Sequence, residues 1–136
     1  MDVLKEVRGA YISLLATAGI KAYDRFLPDD MSDTTYVIVS SQEDTEQIDK
    51  CDNGHVTFVS LDIIHRTINN SGGVQCDNIA EIVIPLVRNN PIPVPAGLTF
   101  ITGSTRKIGD NTLDGFSDIY KVYRRILRFQ HIIKEN

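Results

Sequence analysis

The chain has 136 residues, with 14 Lys and Arg against 18 Asp and Glu, giving a net charge of −4. That length is what one domain of roughly 100–200 residues requires, and about two-thirds of the unfolded surface is then buried, so folding demands neither a metal nor a disulfide. With 42% apolar and 24% charged residues the chain is expected to be globular, and its acidic balance argues against tight binding of phosphate backbones through Lys and Arg.

No apolar run reaches the roughly 18 residues of a membrane span. Asp2, Lys5, Glu6 and Arg8 interrupt the N-terminal stretch, so no secretory leader is expected, and Cys51 and Cys76 are expected as free thiols. Residues 2–18 place Val3, Leu4, Val7, Ala10, Tyr11, Leu14, Leu15 and Ala18 on one helical stripe, with Asp2 as N-cap and Gly19 as a left-handed stop. Residues 20–27 suggest a short strand, and 28–33 a Pro/Asp/Ser turn. Thr35 to Ser41 is β-branched and aromatic, predicting a strand covered on both faces.

Residues 42–54 are polar and end in Asn53-Gly54, which predicts a loop and turn leading into a long strand over His55–Thr67, hence a hairpin. Ile79, Ile82, Val83, Leu86 and Val87 predict a helix over 75–88, which Pro85 should kink or end early. Alternating Pro91, Pro93 and Pro95 exclude regular structure, Leu98–Thr102 reads as a short strand, and 103–117 as a long exposed loop. Residues 118–135 fit either period, and their Ile, Val, Tyr and Phe content tips them to a strand. The outline is an α+β fold: two layers, an antiparallel sheet of about five strands with two helices on one face.

Sites of chemistry are sparse. Cys51 and His55 have a metal-like spacing, but no second close ligand pair completes a zinc set. His55, His65 and His131 are candidate general bases, yet no nucleophile elbow accompanies them. Asp29, Asp30 and Asp33 lack the spacing of a calcium loop, and Gly103–Gly109 lacks the residue order of a phosphate loop. No cofactor or metal is expected. Arg124, Arg125 and Arg128 interleave with Tyr120, Tyr123 and Phe129. As a strand, Arg124 and Arg128 share one face and Arg125 the apolar one, a composition favoured at protein interfaces more than at a nucleic-acid surface.

The order of elements, with the Tyr23-to-Asp30 strand-turn, the Tyr36-Val37 strand, Gly72-Gly73 before the second helix and the Tyr123–Phe129 close, resembles the tail completion and tail terminator proteins of tailed bacteriophages. The resemblance implies a non-enzymatic virion subunit, forming with its own copies a ring, often a hexamer. Such a ring caps the tail tube, docks the head-side connector and passes DNA through its lumen without specific binding. Asp29, Asp30, Arg106, Lys107, Arg124 and Arg128 are the candidate contact residues of the single domain over 1–136. A small ligand-binding or regulatory module is the alternative.

Overall fold

The computed structural model describes residues 2–24, 35–49, 52–68, 73–117 and 120–136. Helix α1 spans Val3–Thr17, capped as its sequence predicts: the Asp2 carboxylate accepts the Lys5 N–H at 3.3 Å, and Gly19 follows at φ 73°. Strands β1 (Ala22–Asp24), β2 (Thr35–Asp49) and β3 (Asp52–Thr67) come next. Helix α2 (Val74–Asn89), β4 (Leu98–Phe100), β5 (Arg106–Ser117) and β6 (Tyr120–Glu135) complete the described order.

The class is α+β as expected, and the described residues form six strands of one sheet where about five were expected. The order is β1-β2-β3-β6, and the far side of β6 is shared by β5 and β4. The sheet is mixed, not wholly antiparallel, because β1 runs parallel to β2. The stretch 118–135 is a strand wherever it is described, and its burial alternates along the second half of β6.

Two stretches expected as loops are strands. Residues 42–49 extend β2, paired rung by rung with β3, so Asn53-Gly54 lies inside β3 opposite Gln47 and Ile48 and not at a turn. Residues 106–117 form β5 along β6. Both strands lie at an edge, where one side and much of one face meet water, so the apolar alternation that marks a strand is missing. Their backbone pairing is supplied by β3 and β6.

One face of the sheet carries the core. Val37 and Val39 of β2, Val59, Leu61 and Ile63 of β3, and Leu127, Phe129 and Ile133 of β6 pack with both helices. Helix α2 keeps its course through Pro85 because Cys76, Ala80, Val83 and Val87, spaced four, three and four apart, are buried on both sides of the proline. Ile82, expected on that seam, is exposed, and Pro85 itself faces out. The proline segment is irregular as expected, and it inserts Ile92 into the core. No described helix is long and apolar enough to cross a membrane.

Leu61→Ala, at a fully buried central rung, is expected to cost about 2–5 kcal/mol in urea denaturation. Pro85→Ala restores a donor to the Glu81 carbonyl at an exposed position and should raise the unfolding free energy by up to about 3 kcal/mol.

Candidate functional site

The other face of the sheet is covered by no helix among the described residues. It is built from the alternate positions of the same strands: Val56, Phe58, Ser60, Asp62, Ile64 and Arg66 on β3, opposite the even-numbered residues of β6. Arginines lie across it. Arg124 donates from Nη2 to Asp62 at 2.5 Å and from Nε at 3.1 Å, leaving the Asp62 side chain 5% exposed. The hydrogen bonds Arg124 donates to Asp62 raise its pKa against the opposing cost of burial. The Arg128 guanidinium stands 5.4 Å from the Phe58 ring and reaches Glu43 at 3.3 Å, and Arg66 stacks 5.1 Å from Tyr120. Stacked arginine, aromatic rings and partly exposed aliphatics make a surface suited to contact with protein.

Of the six candidate contact residues, Arg124 and Arg128 share this face. Arg106 joins them at its margin, opposite Gln130, exposed and in no ion pair among the described residues. Lys107 has the opposite parity, on the helix side, bound to Asp110 at 3.2 Å. Asp29 and Asp30 lie outside the described residues, as do Asp33 and Cys51. Arg125 falls on the helix side as its parity predicts, tying Asp110 at 2.8 Å and Asp77 of α2 at 3.0 Å. Its hydrogen bonds hold the Asp110 carboxyl below the usual range.

Each histidine is hydrogen-bonded within the fold. His55, buried, sits between Asp44 of β2 (2.9 Å from Nδ1) and Glu135 of β6 (3.1 Å from Nε2). Burial pulls its pKa down, but the hydrogen bonds to Glu135 and Asp44 outweigh it and hold the ring above its ordinary value. His131 is fully buried between Tyr11 of α1 and Thr105, 2.9 Å from its Nδ1. Burial pushes its pKa down to about 4 and raises that of Tyr11, so both are neutral. The tyrosine hydroxyl then donates to Nε2, and Nδ1–H donates to Thr105. The reverse tautomer would strand a buried phenolic proton. His65 bonds Thr35 at 2.7 Å and stacks on Tyr123. Among the described residues no cluster of His, Cys, Asp and Glu could hold a metal. Cys76 hydrogen-bonds the Ile63 and Tyr123 carbonyls, and burial lifts its thiol to about 11, far from a reactive thiolate. A groove of about 490 Å³ beside the end of α1 is lined by Ile12, Ala16, Ile20 and Ala22, with Lys21 and Tyr23 as its polar members.

The arginine face was legible from the parity of 120–135, whereas the acid–His–acid clamp joins residues far apart in sequence and had no local signal. No protein-family model and no curated protein sequence matches the chain. Among solved structures, the chain is similar in fold to a protein of the virion of a native gene transfer agent particle. The TM-score is 0.66 at 18% identity, and 98% of each chain is covered.

Arg124→Ala removes the partner of the buried Asp62 carboxylate and is expected to cost about 1–3 kcal/mol. Arg128→Ala loses a partner that is itself mostly exposed and should cost under about 1 kcal/mol. Chemical denaturation of the two variants checks the contrast. For His131 the folded pKa of about 4 lies below the unfolded 6.5. Its contribution is therefore intact above pH 6.5 and lost as pH falls toward 4, by about 3 kcal/mol. His131→Gln should remove that part of the acid slope when the unfolding free energies of the two proteins are compared across this window.

Proposed function

We propose that this chain is a structural subunit of a phage-like virion, one terminator-like domain that assembles with its own copies into a ring at the head-proximal end of a tail. The observation that carries this reading is the fold it shares, end to end, with a chain of a gene transfer agent virion. The arginine–aromatic face that no described helix covers supports it, since stacked arginine and aromatic side chains suit contact with protein. In such a ring Arg106, Arg124 and Arg128 meet neighbouring subunits or the docking partner, and Asp29 and Asp30 take the same kind of role. The ring stops the growing tube, receives the head-side connector and leaves a lumen for DNA. An acidic subunit suits a conduit, because dense phosphate contacts would hold the DNA in place.

Purified protein at tens of micromolar is expected to sediment as a closed oligomer and to show rings by negative-stain electron microscopy. A strict monomer under those conditions would overturn the reading.

A further inference from the structure

Large apolar rings are buried by folding or by a partner. Phe116 is 81% exposed, more than any other large apolar side chain among the described residues. Lys121 approaches its ring to 5.9 Å without covering it. Phe116 stands on β5, at one lateral end of the sheet, and its rung partner Lys121 has the parity of the helix side. Asp114 shares that parity two residues earlier, exposed and in no ion pair among the described residues.

A matching feature lies at the other lateral end. The groove beside the end of α1 is walled by Ile12 and Ala16 of the helix and by Ile20 and Ala22 leading into β1, with the exposed Lys21 among its lining residues. It opens on the helix side as well, since Ala22 pairs with the core residue Val37. Its volume of about 490 Å³ exceeds that of a phenyl ring. Ring and groove also share one end of the sheet along the strand direction. The rung through Thr35 of β2 runs on through His65 of β3 and Tyr123 of β6 to Asp114 of β5. On the other side of β2, the Lys21 carbonyl accepts from the Val37 N–H at 3.0 Å, two residues along from Thr35.

We infer that copies of this chain join side by side, Phe116 of one seated in the α1–β1 groove of the next, with Asp114 brought against Lys21. The inference rests on the ring reading and gives its contact. A phenyl side chain takes roughly 150–250 Å² out of water when buried, and the acid–base pair fixes the orientation in which it enters. Ring and groove lie at opposite lateral ends, on the same side and at the same end of the strands. A copy rotated about an axis along the strands therefore meets its neighbour with both in place. Such a contact between two different surfaces of identical subunits closes into a ring when the rotation per copy allows it.

The test measures self-association of full-length chains by sedimentation velocity, each variant first checked by circular dichroism for native folding. F116S removes the ring, and A16F fills the groove from an exposed position of α1. Each should weaken self-association about tenfold or more relative to the unaltered chain. D114K should weaken it too, and adding K21D to the same chain should restore it, because every contact then carries the reversed pair. Unaltered association of F116S or A16F, or no recovery of D114K/K21D over D114K, while the unaltered chain forms rings, would overturn this contact and leave the ring reading standing. An unaltered chain that stays monomeric overturns both.

Discussion

The unbroken antiparallel register of β3 on β6, from Gly54–Lys134 to Thr67–Lys121, is the constraint on which the other contacts of this protein depend. It decides which parity of two sixteen-residue strands faces the helices. In this register Val59, Leu61 and Ile63 join Leu127, Phe129 and Ile133 beneath α1 and α2. A slip by one residue would turn the Asp62 and Arg124 side chains into the core and the aliphatics out to water. The bulge between Val39 and Ser41 is a local use of the same rule. By shifting parity once, it aims Gln42 at α1, where it accepts from Arg8 and donates to the Leu4 carbonyl, each at 2.9 Å.

Buried polar groups are settled in opposite ways on that frame. His55 is flanked by two carboxylates, so its cationic form is the matched one, and it joins β2, β3 and β6. Its raised pKa means its stabilisation is full below 6.5 and fades as pH rises through the higher folded value. His131 faces only hydroxyls and rings, so its neutral form is the matched one, and its contribution fades in the other direction. The two rings together favour the fold near neutrality over either extreme.

The outer face and the edges follow different physics from the core. Arg66, Arg124 and Arg128 spread over rings and carboxylates and shield a sheet surface that no helix covers. Most of these pairs are half-exposed, so each adds little to stability.

Several features were set by local sequence alone. The α1 stripe and its caps, the irregular proline segment, the strand at the C-terminus and the placing of Arg124 and Arg128 on one face with Arg125 on the other all follow from short-range periodicity and steric rules. Other features were decided only by tertiary structure. Residues 42–49 and 106–117 are strands because a neighbouring backbone satisfies their hydrogen bonds, not because their side chains favour it. Helix α2 survives Pro85 because burial on both sides outweighs one lost bond, and its buried seam runs through Cys76 and Ala80 and not through Ile82. The clamp on His55 and the pocket around His131 join residues 11, 80 or 120 positions apart, and no local pattern records which distant residue will arrive.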